Sequence, residues 1–247
     1  DGLIMAGAGL EQLTWMDVRV GDFLPTPRHG KPVEINAYWY SALMVMYELT
    51  QDAKYQELAV KVKASFAEKF WNESEQCLKD VLSGGKDENQ IRCNQIWALT
   101  MPFTMLPVEK EALILKKVKE ALYTTVGLRT LAKNDSDFHP IYIGPMEERD
   151  RAYHQGTVWA FPLGAYYRAY VRYAEKCGDK AKKECIKTEL TEGFAALAAW
   201  LREGCVSQIA EIYDGDTPTV SRGCFAQAWS VTELLRAVHD FERMVTI

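Results

Sequence analysis

The chain has 247 residues and a hydrophobic content of 48%, enough for one large domain with its own core and too apolar for a disordered protein. A net charge of −5 and a pI near 5.5 argue against nucleic acid as a partner. The six Cys, at 77, 93, 177, 185, 205 and 224, form no CxxC pair and match no zinc spacing. They read as reduced thiols of a cytoplasmic protein. No apolar run approaches the length of a membrane span, and no signal peptide is visible. The first residue is Asp1 rather than Met, so the chain reads as a piece of something longer.

Residues 12–36 concentrate special residue types. Trp15 and Met16 lead into Asp17, a loop with Pro25 and Pro27 follows, and then come Arg28, His29, Gly30 and Lys31. Glu34 and Asn36 open a helix over 34–49 that is apolar nearly all round, which predicts burial. Pro32 suits its start. Residues 52–71 carry Tyr55, Leu58, Ala59, Val62, Phe66 and Phe70 at steps of three and four, a helix with one face to water. Residues 94–106 are again apolar all round and interrupted by Pro102, and 109–123 are amphipathic. Residues 156–174 are apolar all round, with Pro162 early in the run. Residues 181–203 carry a stripe of Ile186, Leu190, Phe194, Leu197 and Leu201 that Gly204 would stop. The last helix, over 222–242, is predicted to bury Phe225, Trp229, Leu234 and Val238.

Buried and half-buried helices therefore alternate, and the buried ones begin near 34, 94, 156 and 222. Such a repeat predicts an all-α ring of helical hairpins, an α/α toroid, with an open α-solenoid of shorter repeats (~33–47 residues) as the alternative. The segment leading into each buried helix is polar: Asp17, Arg28, His29 and Lys31; then Arg92, Asn94 and Gln95; then Tyr153, His154, Gln155 and Thr157; then Glu211, Asp214 and Arg222. In a toroid these four segments would meet over the axial funnel.

A funnel with aromatic walls and two carboxylates suits glycoside hydrolysis, in which one carboxylic acid protonates the leaving oxygen and the other activates water or attacks. Asp17 and Glu211 are the candidates. Both are flanked by apolar residues able to raise a carboxyl pKa: Trp15 and Met16 beside the first, Ile209, Ala210 and Ile212 around the second. Capping a helix or pairing with an Arg is the plain alternative for either acid. GxSxG, a P-loop, GxGxxG and HExxH are all absent. Asp214-Gly215-Asp216 lacks the rest of an EF-hand and reads as a turn.

At these residues a resemblance emerges. TWMD (14–17), TPRHGKPVEIN (26–36), NQIWAL (94–99), VGLRTL (126–131), RDRAYHQGTVW (149–159), EIYDGD (211–216) and RGCFAQAWSV (222–231) resemble the amylo-α-1,6-glucosidase domain of bacterial and archaeal glycogen debranching enzymes. The resemblance implies an (α/α)6 barrel, of which this chain would hold a C-terminal portion, about seven of twelve helices. It implies inverting hydrolysis of the α-1,6-linked glucose at a branch point of glycogen or amylopectin, with no metal and no organic cofactor. Asp17 would be the general acid and Glu211 the general base. Trp15, Arg28, His29, Lys31, Glu34, His154, Gln155 and Trp159 would line the glucose subsite. Cys93 and Ala160 depart from the family, which often has Pro there. The implied partner is a branched α-glucan, beside an N-terminal part of the same protein or another copy of the chain. A non-catalytic glycan-binding toroid and a related toroid hydrolase with another substrate are the competing readings.

Overall fold

In the computed structural model, residues 1–202, 206–217 and 220–246 are described. The Gly204 stop and Cys205 lie outside them. The helices are α1 (Val33–Thr50), α2 (Ala53–Lys69), α3 (Trp97–Thr100), α4 (Val108–Ala121), α5 (Met146–Ala152), α6 (Phe161–Lys176), α7 (Lys180–Trp200) and α8 (Ala228–Thr246). Their ends follow local chemistry. Pro32 stands extended before α1, and Gln51 closes that helix in the left-handed region. The Asp52 and Asp179 carboxylates accept from main-chain N–H groups in the first turns of α2 and α7. Pro162 occupies the first turn of α6, where its missing N–H costs nothing.

The helices form two layers. α1, α3, α6 and α8 neighbour one another in that succession, and α2, α4 and α7 pack behind them. The centre is α6, which buries Phe161, Leu163, Tyr166, Tyr167, Tyr170 and Val171. It crosses α8 closely because Gly164 has no side chain: a Cβ there would come 2.4 Å from the Glu233 main chain. α1 and α8 end the row, and each has only one covered flank. Hence Leu49 and Leu235 are exposed, against the expectation that these helices are buried all round.

The predicted elements differ from the observed ones in three further ways. The second apolar run, over 94–106, forms only a 3-10 turn, Cys93–Ile96, and the single α-turn of α3 before Pro102. The last helix starts at Ala228 rather than 222, so Phe225 is exposed and Val238 only half-buried. Short strands are also present: β1 (Lys31–Pro32), β2 (Trp71–Asn72), β3 (Cys77–Leu78), β4 (Val81–Leu82), β5 (Tyr123–Thr124), β6 (Gly127–Arg129), β7 (Val158–Trp159), β8 (Ile212–Tyr213) and β9 (Ser221–Arg222). β1 pairs with β4 and β2 with β3, while β5 to β9 form one antiparallel sheet in chain order. The fold is helix-rich rather than purely helical. That sheet matters for the site, because it brings Trp159 opposite Ile212, next to Glu211.

Candidate active site

The lead-in segments do meet. A buried guanidinium at Arg92 donates to the main-chain carbonyls of Thr130 and His154, and to the side chains of Gln90 and Gln155. Gln155 in turn donates to the Pro25 carbonyl at 2.6 Å. Arg28, held at a positive φ of 47°, makes a buried two-pronged ion pair with Glu34 and donates through Nε to Asp80 at 2.7 Å. The two carboxylates hold its charge more firmly than in water, against the cost of burial. Burial pushes the Glu34 carboxyl upward, and the Arg28 charge opposes that shift. Asn94 donates to Asp80 at 2.8 Å and accepts from the Trp15 indole at 2.7 Å. A single connected network thus ties 14–36 to 80–95 and 153–157.

Trp15 is the hub of an aromatic cluster. Ring centroids lie 4.7 Å away for Phe161, 5.1 Å for Trp159, 5.2 Å for His154 and 6.4 Å for Trp97 and Trp229. His154 stacks on Trp159 at 5.1 Å, and neither of its ring nitrogens has a partner among the described residues. Burial, with Arg92 and Arg28 nearby, keeps this imidazole neutral far below its ordinary pKa.

Glu211 is buried beside this cluster. The Tyr153 hydroxyl donates to its Oε1, and the Cys224 N–H donates to Oε2 at 2.8 Å. The Tyr153 phenol is pushed upward by burial and by Glu211, so it stays protonated and can donate. Gly223, at φ +65°, makes the turn that points Cys224 at the carboxylate. A Cβ on Gly223 would stand 2.3 Å from Oε2.

Asp17 contrasts with it. Met16 is fully buried and Trp15 is anchored on Asn94, which turns Asp17 outward. It is exposed, with no hydrogen bond or ion pair to a described residue. The apolar environment expected from its sequence neighbours is therefore not around it; for Glu211 it is, through buried Ile209, Ala210 and Ile212.

The remaining expected residues separate. Trp15 and Glu34 line a cavity of about 290 Å³ with Tyr38, Trp97, Phe161 and Trp229. Arg28 and Gln155 line a different one of about 430 Å³. His29 turns to the Glu11 carbonyl at 2.9 Å, and Lys31 pairs with Asp1, whose carboxylate also meets Lys69. Both stand apart from the aromatic cluster. Asn94 and Tyr153 were legible only as members of the polar lead-in segments, and Asp80 was passed over altogether. Asp80 had a signal, a lone acid between Leu78 and Val81, both buried. Among the described residues no cluster of His, Cys, Asp or Glu could hold a metal ion.

The family model of amylo-alpha-1,6-glucosidase matches residues 1–236. The chain belongs to the amylo-alpha-1,6-glucosidase family. One curated relative is the glycogen debranching enzyme of Saccharomyces cerevisiae, 24% identical over 295 residues that cover 97% of this chain. The chain spans only 19% of that relative. Solved structures of the same fold include a GH63 mannosylglycerate hydrolase from Thermus thermophilus, with TM-score 0.56 and 17% identity over 86% of this chain and 46% of that one. A sialidase superposes with TM-score 0.63 and 16% identity over 99% of this chain and 22% of the other. Among the described residues of this family member, no helix is long and apolar enough to cross a membrane.

Proposed function

We propose that this chain is the catalytic part of a glycoside hydrolase that removes α-1,6-linked glucose from the branch points of glycogen or a similar α-glucan in the cytoplasm. The observation that carries the reading is the meeting of Glu211, Tyr153, Trp159 and Trp15, two residues ahead of Asp17, on one aromatic cluster. The succession of paired helices suits a portion of an (α/α)6 toroid. The rest of that toroid would come from an N-terminal part of the same protein or from another copy of the chain.

In the proposed reaction Asp17, protonated, donates to the glycosidic oxygen. Glu211, ionised, takes a proton from a water on the opposite face of the sugar, and the anomeric carbon inverts. Inversion calls for carboxylates ~6.5–9.5 Å apart, with room for the water. Trp15, half-buried at the 290 Å³ cavity, offers a ring face for the sugar; Trp159, expected beside it, is 1% exposed under the stacked His154 and can only back that ring, with Arg28, Glu34 and Gln155 also buried. Asp17 is exposed, so in this reading the bound glucan itself covers it.

The test is free glucose released by the full-length protein from a phosphorylase-limit dextrin carrying single α-1,6 glucose stubs. Asp17→Asn and Glu211→Gln should each abolish release while the protein still folds, and NMR of the first glucose should show the β anomer. Absence of glucose would reject the reading. The exposure of Asp17 favours one alternative, a glycan-binding domain without catalysis; it predicts dextrin binding with no glucose.

A further inference from the structure

Two polar side chains of the 290 Å³ cavity have no role so far: Tyr38 on α1 and Glu233 on α8. They come from the two ends of the helix row, and the cavity lies between them. Tyr38 is 37% exposed, and its hydroxyl forms no hydrogen bond with a described residue. Burial first, then the Glu34 and Glu233 charges, push this phenol upward, so it stays protonated and keeps its O–H to donate. The Glu233 carboxylate meets Arg236 and lies 3.9 Å from Arg168, and 18% of its side chain remains open. The close α6–α8 crossing at Gly164 fixes the Glu233 main chain.

The chemistry of the wall selects the occupant. No Lys, Arg or His lines the cavity, so an anion finds no partner there. The two acids of the wall already have guanidinium partners: Glu34 the two-pronged Arg28, Glu233 the pair just named. A cation therefore finds no unbalanced charge. The Thr14 hydroxyl accepts from Arg28 and from the Met16 N–H, which occupies its lone pairs. Trp15, Trp97, Phe161 and Trp229 supply ring surface. A purely apolar ligand would leave the Tyr38 hydroxyl and the Glu233 carboxylate facing hydrocarbon, at about 1–3 kcal/mol or more for each. A neutral ring that carries hydroxyls satisfies both. The volume stands at the lower end of small-molecule sites, roughly 300–1,000 Å³, which suits one ring rather than a chain.

We propose that Tyr38 and Glu233 are specificity contacts for the sugar ring at Trp15: the Tyr38 phenol donates to one ring hydroxyl, and Glu233 accepts from a hydroxyl of the same ring. The pair rests on the glycoside reading above and adds to it the residues that read the sugar. A ring held this way ties α1 to α8.

The test uses full-length Glu211→Gln protein, which should bind without turnover, with methyl α-glucoside and its monodeoxy analogues as probes. Calorimetry should show glucoside binding, and hydrogen exchange should slow at residues 33–40 and 229–236. Tyr38→Phe keeps the ring and should weaken binding about fivefold, the worth of one ordinary hydrogen bond. One deoxy analogue should bind the parent protein about fivefold more weakly than the glucoside does, and Tyr38→Phe should bind the two alike. Glu233→Met should weaken binding by about 10-fold or more, as for a hydrogen bond to a charged group. It leaves no buried cation alone, since Arg168 keeps Asp240 at 2.8 Å and Arg236 is 56% exposed. No glucoside binding, unchanged affinity in both variants, or equal losses for every deoxy analogue in parent and Tyr38→Phe would overturn the contacts. Glucose release from limit dextrin with the same KM in wild type and Tyr38→Phe overturns them alone. Weakened glucoside binding in both variants, without glucose release from the wild-type protein, overturns the hydrolase reading and supports the contacts.

Discussion

Tyr153 and Glu211, 58 positions apart, are joined by a hydrogen bond in which the phenol donates to Oε1. The same Tyr153 accepts the Trp159 indole N–H on its main-chain carbonyl at 2.9 Å. One residue thus orients both the proposed base and the buried indole that packs against Trp15. Tyr153→Phe keeps the ring and removes the donor. Turnover of limit dextrin should fall by about 10- to 100-fold, as expected for a base no longer held in place. Urea denaturation should show a loss of ~1–3 kcal/mol from the unsatisfied carboxylate oxygen. Unchanged turnover would remove Tyr153 from the site.

Gly223 and Gly178 form a matched pair of probes. Both have a φ near +65°, but a Cβ at Gly178 meets nothing within 4 Å, whereas at Gly223 it meets Glu211. Gly178→Ala should cost only the left-handed backbone strain, ~1–2 kcal/mol. Gly223→Ala should cost ~1–3 kcal/mol more and should abolish activity by moving the carboxylate. Thermal melts and dextrin assays of the two variants separate the terms. Equal losses would mean that Gly223 serves the turn alone.

Arg28 neutralises two buried acids, so its removal is worse than the removal of either acid. Arg28→Met should destabilise the fold by about 3–5 kcal/mol at pH 7, because Glu34 stays buried without a cation and Asp80 keeps only Arg92, at 3.9 Å. In that variant the Glu34 carboxyl would have a folded-state pKa above its unfolded one. Its penalty is then absent below the unfolded value and grows as pH rises through the folded one. The variant should therefore recover stability relative to wild type between pH 7 and pH 4 in denaturant titrations. A constant deficit across that window would contradict the network.

His154 gives the opposite sign. Burial first, then the Arg92 and Arg28 charges, holds its folded-state pKa well below 6.5. The unfolded chain therefore takes up a proton that the folded one refuses, and stability is lost as pH falls below 6.5. The loss approaches ~1.4 kcal/mol per pH unit, or about 2 kcal/mol at pH 5. His154→Phe, which keeps a ring between Trp15 and Trp159, should lack this slope. Parallel pH profiles of the two proteins would refute it.

The helices could be read from the sequence because their periodic stripes are long. Val62 and Phe66 of α2 and Ile186 and Leu190 of α7 are buried as their spacing requires. The strands could not be, because two-residue segments such as Ile212–Tyr213 carry no period. Phe225 misled for a related reason: the positive φ at Gly223 and the turn after it delay α8, and an apolar residue ahead of a helix has no face to follow. In the site, the EIYDGD and RGCF runs point to Glu211 and its support, and both lie together. The exposure of Asp17 was not legible. Its neighbours are apolar, but they are anchored inward, and sequence adjacency says nothing about the direction of a side chain on a loop.

Trp15, Trp97, Trp159 and Trp229 come from one end of the chain to the other and meet around a single indole. Indoles this close couple their electronic transitions, so the folded protein carries its own circular-dichroism signature of that meeting. The complete four-indole signature needs both halves of the chain, since Trp15 and Trp97 lie in the first and Trp159 and Trp229 in the second. It dates the moment when the distant segments first join, and it does so in the absence of any ligand.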